Sequence, residues 1–205
     1  MNTYDVLVIL GTDHHHFGRL VGWVDDFLEL PGHEGRTALV QHGSTPAPRR
    51  AKGLGIVAYD ELQALMRQAT AVVSHGGPAT MFEVRKQGRK PIVVPRDPLL
   101  NEHVDQHQQQ FSRRMGALGL VTLCEDRNAF LTALTGVLAD PEAHTVSAEE
   151  NHRDSLQLSA AVTTTGQIID ALGREHALKT SVSKHVKNVM FRPRERNRMP
   201  GGASG

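Results

Sequence analysis

Residues 71–95, AVVSHGGPATMFEVRKQGRKPIVVP, decide the fold. The stretch opens with a short apolar, β-rich segment, Ala71 to Ser74. It turns at His75-Gly76-Gly77-Pro78 and then reads as a helix from about Ala79 to Gln87. Gly88 stands where a helix-ending left-handed residue belongs. Pro91 to Pro95 (PIVVP) is continuous and β-branched, the pattern of a strand buried in a parallel sheet. Strand, helix and strand in this order make a βαβ unit.

The same alternation continues outward on both sides. Upstream, strands are expected at Tyr4–Leu10, Thr37–Gln41 and Gly55–Ala58. Phe17–Leu30 carries apolar residues near helical spacing and stops at Pro31-Gly32. Asp60 reads as the N-cap of a helix to Ala69, with Gln63 in the capping-box position. Downstream, a polar helix is expected over Glu102–Met115, a strand over Val121–Cys124, and helices over Asn128–Leu138 and Asp154–Leu172. Right-handed crossovers then predict an α/β fold, a Rossmann-like parallel sheet with helices on both faces. Residues 1–172 form this domain. Residues 173–205 lack sustained periodicity and read as a flexible tail, with a basic helix near Ser181–Met190.

Charge supports that division. The 205 residues carry a net charge of +1. From Arg174 to Arg198 there are eight Lys or Arg and two Glu, net +6, which leaves the remainder at net −5. A basic tail follows a mildly acidic globule. Cys124 is the single cysteine, which excludes an intrachain disulfide scaffold. No run approaches the roughly 20 apolar residues of a membrane-spanning helix. The opening MNTYDVLVILG lacks the basic region and cleavage chemistry of a secretory leader.

In open parallel sheets, ligands bind beyond the carboxyl ends of the strands. Three polar stretches fall there: Gly11-Thr12-Asp13-His14, Gln41-His42-Gly43-Ser44-Thr45 and Ser74-His75-Gly76-Gly77-Pro78-Ala79-Thr80. The third is the most informative. A Gly-Gly pair between strand and helix lets backbone N–H groups approach an anion, and the helix N-terminus adds about half a positive charge. Diphosphate suits such a turn; the plainer reading is a tight turn without a ligand. Glu83, about one helical turn on, can accept hydrogen bonds from ribose hydroxyls, or is a solvated surface acid.

Other groups carry less. His103 and His107 share a face at i, i+4 on the expected helix, a zinc-compatible pair without an evident third ligand. His14-His15-His16 invites the same guess and the same discount, so no metal is expected. Ser74 lacks a nucleophile elbow, Cys124 reads as core, and there is no phosphate-binding P-loop.

Taken together, SHGGPATMFEVRKQGRKPIVVPRDP and NEHVDQHQQQF resemble the C-terminal, nucleotide-sugar-binding half of family 28 glycosyltransferases. The likeness is strongest to the free-standing catalytic small subunits of split UDP-GlcNAc and exopolysaccharide transferases, and it covers about residues 4–170. It implies one half of a metal-independent GT-B enzyme that takes a UDP-sugar as substrate and needs no cofactor. Ser74, His75, Gly76 and Gly77, with Pro78, Ala79 and Thr80, match the diphosphate loop. Glu83 matches the ribose-binding acid, and His107 with Gln108 the pair beside the sugar and phosphates. Gly11, His42 and Gly43 match flanking loops. His14 and His75 are the candidate catalytic donors to the leaving phosphate.

The resemblance further implies a polyprenyl-linked acceptor and a membrane-attached subunit that brings the missing acceptor half. The site of action would be the cytoplasmic face of a membrane. Residues 174–198 could then meet an anionic bilayer, or simply be solvated. Three other readings are a non-catalytic UDP-sugar-binding module, an epimerase (which needs both halves in one chain) and nucleic-acid binding through the tail. Nucleic acid is not among the expected partners.

Overall fold

The computed structural model describes residues 4–153. The expected helix Asp154–Leu172 and the basic tail 173–205 lie outside the described residues. Six strands form one parallel sheet: β1 (Tyr4–Ile9), β2 (Ala38–Gln41), β3 (Lys52–Leu54), β4 (Ala69–Ser74), β5 (Ile92–Val93) and β6 (Thr122–Leu123). Their order across the sheet is β3-β2-β1-β4-β5-β6. Five α-helices connect them: α1 (Gly18–Glu29), α2 (Tyr59–Gln68), α3 (Pro78–Lys86), α4 (His107–Ala117) and α5 (Arg127–Ala139). This is the expected Rossmann-like architecture, with its order reversing between β1 and β4.

Side-chain alternation along β1 builds both cores. Val6, Val8 and Leu10 pack with Leu20, Val24 and Phe27 of α1 and Phe130 and Leu134 of α5. Leu7 and Ile9 point the other way and pack with Met66 of α2 and Val84 of α3. Both faces are covered, which is why the strands are almost uniformly apolar. Cys124 lies in the first core at 1% exposure, and burial pushes its thiol up to about 12. It is an inert packing group, as expected.

Four departures from expectation have local causes. The third strand is Lys52–Leu54 rather than Gly55–Ala58. Its register on β2 is Leu39↔Lys52 to Gln41↔Leu54, extended when the His42 N–H donates to Leu54 O (2.8 Å). This edge strand has no β-branched residue to mark it.

The second departure is at the start of α2. Asp60 lies inside the helix, and its N-cap is Ala58, which makes no side-chain cap. Gln63 is not a capping group; it donates from Nε2 to Glu83 Oε2 (3.0 Å).

Third, β5 shrinks to Ile92–Val93, because the prolines at 91 and 95 offer no N–H to the ladder.

Fourth, α4 begins at His107, not Glu102. Asn101 takes a left-handed φ of 57°, which breaks any helix through it. Glu102 is drawn inward to accept from Arg19 Nη2 (2.7 Å) and the Asp97 N–H (2.9 Å). His103 and His107 therefore do not share a helix face. Gly88 does close α3 as expected, at φ 75°.

Among the described residues, no helix is long and apolar enough to cross a membrane.

Candidate functional site

The register lines up the strand ends in one row: Gln41, Ile9, Ser74, Val93 and Leu123 are successive neighbours. The loops leaving these positions meet above the reversal between β1 and β4. The sequence-predicted loops at 11–14, 42–45 and 74–80 are thereby brought together, though some 30 residues apart along the chain.

The turn after β4 is shaped around one imidazole. Gly76 has φ 88°, and a Cβ there would lie 3.0 Å from Ser112 Oγ and 3.2 Å from Pro95 Cα. The His75 ring is wedged between two further glycines. A Cβ on Gly11 would sit 2.9 Å from His75 Cε1, and one on Gly77 2.5 Å from His75 Nε2. Gly77 is the N-cap of α3, with Pro78 as the first helical residue, so the first amides of α3 open at this turn. This is the close backbone approach that an anion site requires.

His75 itself is tied to the end of β1. Its Nδ1 lies 3.2 Å from Ile9 O, so its one neutral N–H donates to that carbonyl. Burial, reinforced by the Arg96 cation nearby, lowers its pKa from 6.5 to about 4. The ring is neutral near pH 7 and supports the turn from below.

A pH dependence follows. As pH falls below 6.5, the unfolded chain takes up a proton on His75 that the folded chain refuses until about pH 4. This contribution is complete above pH 6.5 and is lost as pH drops toward 4. Between about pH 6.5 and 5 it amounts to ~2 kcal/mol for a ring wholly out of water, and ~1 kcal/mol here because one edge meets the cavity. Urea unfolding of wild type and His75→Gln at both pH values measures it. Equal pH dependence in the two proteins would refute it.

Glu83 lies on α3, beyond the turn. Its Oε2 accepts from Tyr59 Oη and Gln63 Nε2, both at 3.0 Å, and its Oε1 from Lys86 Nζ at 2.8 Å. Partial burial alone would raise its pKa, but the hydrogen bonds of Lys86, Tyr59 and Gln63 outweigh this and hold the carboxyl below its usual range. Glu83 is thus an oriented carboxylate rather than a free surface acid. Beside the turn lies a cavity of about 260 Å³ lined by Ile9, Gly11, Gln41, Ile56, Val57 and His75, with Thr80 at the start of α3.

The flanking residues act through their loops. His42 Nδ1 bonds Thr45 O (2.7 Å), Thr45 Oγ1 accepts the Phe17 N–H (3.0 Å), and Ser44 Oγ donates to Asp13 O (2.6 Å). A Cβ on Gly43 would meet Gly11 O at 2.5 Å, so these two loops are in contact. Ser74 is fully buried at the end of β4. His107 Nδ1 donates to Asp105 Oδ2 (2.7 Å) at the start of α4, and the buried Oε1 of Gln108 beside it has no partner among the described residues. His14 is 86% exposed on the loop after β1, its Nδ1 3.6 Å from Asp13 Oδ1.

Of two further important residues, sequence named Gln41 only as part of its polar stretch and did not single out Arg96. Gln41 pairs its side-chain amide with both backbone groups of Gly11 (3.1 Å each) and donates to Gly55 O (3.2 Å). Arg96, at 1% exposure, donates to Leu10 O (2.9 Å), His15 O (2.7 Å) and Glu102 O (3.0 Å). Nothing in a lone Gln or Arg marks it as a tie between loops.

Comparison with known proteins agrees with the fold. Residues 34–162 match the family model described as the glycosyltransferase family 28 C-terminal domain. No curated protein sequence matches the chain. Among solved structures, it is similar to CalG4, the calicheamicin glycosyltransferase (TM-score 0.50, 16% identity, covering 83% of this chain and 43% of that one). It is also similar to the glycotransferase of kitacinnamycin (0.49, 15%, 83% and 43%). A third is the UDP-GlcNAc 2-epimerase from Methanocaldococcus jannaschii (0.48, 11%, 78% and 46%). The chain spans less than half the length of these structures, and its fold is one of the two Rossmann-like halves of a GT-B glycosyltransferase. With 129 of its 205 residues inside the family match, the chain belongs to the glycosyltransferase family 28 C-terminal domain family.

Proposed function

We propose that this chain is the donor half of a sugar transferase, moving a sugar from a UDP-sugar to a polyprenyl-linked acceptor. The observation that carries the reading is the glycine turn Gly76-Gly77 opening onto α3 at the sheet's reversal, with the oriented carboxylate of Glu83 on the same helix. The turn and the first amides of α3 receive the diphosphate. Glu83 accepts from the ribose hydroxyls, and the base occupies the cavity beside Ile56 and Val57. Gln108, whose buried amide oxygen has no described partner, accepts from a sugar hydroxyl, with His107 alongside.

In the reaction, the bond between the anomeric carbon and the β-phosphate oxygen breaks, and its electron pair leaves with UDP. An acceptor hydroxyl oxygen bonds to that carbon and yields its proton to a base on the acceptor half. That half comes from a second, membrane-attached subunit. Leu99, Leu100 and Val104 support such a partner, because they expose apolar side chains on the loop between β5 and α4. Residues 174–198 add membrane attraction of about 1 kcal/mol per basic side chain near an anionic surface.

Calorimetric titration with UDP-GlcNAc and UDP-glucose tests the site. Loss of the charged acceptor in Glu83→Ala is expected to weaken binding about 10- to 100-fold. Unchanged affinity would remove Glu83 from the site. UDP release with the partner subunit present separates transfer from mere binding; no release with any sugar donor would leave a non-catalytic binding module.

A further inference from the structure

The loop after β1 gathers more metal-binding chemistry than the sugar donor requires. Asp13, His14 and His15 each offer one ligand atom, and these atoms all lie within 4.8 Å of one another. Both imidazoles aim Nδ1 at the same carboxylate oxygen: His15 Nδ1 is 2.7 Å and His14 Nδ1 3.6 Å from Asp13 Oδ1. Their rings lie side by side, with centroids 4.0 Å apart. His16 takes no part. The sequence triplet alone conceals this, because the convergence depends on Asp13 and on the bend of the loop.

We propose that Asp13, His14 and His15 form a binding site for a divalent transition metal of the zinc type. Two imidazoles and one carboxylate suit Zn²⁺, Co²⁺ or Ni²⁺, whereas Mg²⁺ and Ca²⁺ prefer all-oxygen shells. Ligands about 2.0–2.2 Å from a tetrahedral ion stand about 3.4 Å apart. The 3.6 Å separation already meets that spacing. The 2.7 Å contact opens when the ion replaces the proton shared by His15 and Asp13.

The surroundings hold the loop for this purpose. His103 Nε2 lies 3.6 Å from the other oxygen, Asp13 Oδ2, and its Nδ1 is 3.5 Å from Asp105 Oδ1. Because His103 Nδ1 accepts the Asp105 N–H (3.3 Å), its ring proton is left on Nε2, facing Asp13, as the outer support of a ligating carboxylate requires. Arg96 Nη1 anchors His15 O, and Ser44 Oγ anchors Asp13 O. Asp13 and His15 are mostly covered, while the exposed His14 leaves the fourth position open to water or to an anionic oxygen. The site rests on these residues alone and does not depend on the identity of the sugar donor.

The test is a Co²⁺ titration of the chelator-treated full chain, followed by visible absorption. One tightly bound equivalent with the strong bands of a four-coordinate ion, displaced by Zn²⁺ and not by Mg²⁺, is expected. The chain has 12 histidines, so the His14→Ala/His15→Ala double variant serves as the blank. His14→Ala alone leaves an exposed position, folds normally and weakens binding at least about 10-fold; His103→Ala weakens it about 10- to 100-fold through Asp13. Co²⁺ binding by the double variant with wild-type affinity and spectrum would overturn the proposal. So would six-coordinate, weak bands in the wild type.

Discussion

Arg96→Ala is expected to lower the stability of the domain by about 4 kcal/mol. The guanidinium sits at 1% exposure beneath the loops after β1 and β5 and is the donor for the carbonyls of Leu10, His15 and Glu102. Its carbon lies 4.9 Å from the Phe17 ring centroid, a cation–π contact. Burial alone draws this cation's pKa down, and the nearby Asp13 and Glu102 charges counter it. Removing the side chain strands acceptors that cost about 1–3 kcal/mol each when buried without a donor, less whatever water recovers. Lysine keeps the charge but not the planar fork, so Arg96→Lys is expected to restore less than half of the loss. Urea unfolding measures both. A loss in Arg96→Ala below about 1 kcal/mol would mean that water replaces the guanidinium freely and that the loops after β1 and β5 are not tied through it.

In the proposed donor site, Gly77→Ala is expected to reduce sugar transfer about 10²- to 10³-fold with a smaller effect on stability. The backbone there (φ −72°, ψ 127°) suits alanine, so the penalty is purely steric. The added Cβ would stand 2.5 Å from His75 Nε2. The ring cannot retreat, since its Nδ1 is bonded to Ile9 O and Gly11 closes its other side. The turn must shift instead, and the amides proposed to receive the diphosphate then lose their aim. The discriminating measurement is the pair of variants together. His75→Ala makes room for the Cβ, so the double variant should transfer faster than Gly77→Ala alone. A double variant that is no faster would show that the collision with His75 is not the cause.

Legibility of the fold followed burial. β1, β2 and β4 are long, apolar and covered on both faces, so their sequences show it. β3 is a three-residue Lys-Gly-Leu edge, exposed at Lys52 and Gly53 with only Leu54 packed against the core, and so short a strand leaves no composition signal. The start of α4 was misplaced because helix periodicity cannot reveal that Arg19, 83 residues away, pulls Glu102 inward. Similarly, Gln63 stands at a capping-box spacing but is used by Glu83, on another helix.

The sequence by itself determined the βαβ order, the glycine turn between β4 and α3, and the acid one turn further on. These are local: a turn needs glycine where a side chain would collide, and a helix needs its periodic apolar face. Tertiary structure decided how the loops are held and what the histidines do. Gln41 reaches Gly11, Arg96 reaches Leu10 and His15, and the His75 ring becomes a neutral wedge between two glycines. It also separated His103 from His107 by drawing Glu102 toward Arg19. Those outcomes come from hydrogen bonds and packing between segments that a parallel sheet brings into register, and no single segment carries them.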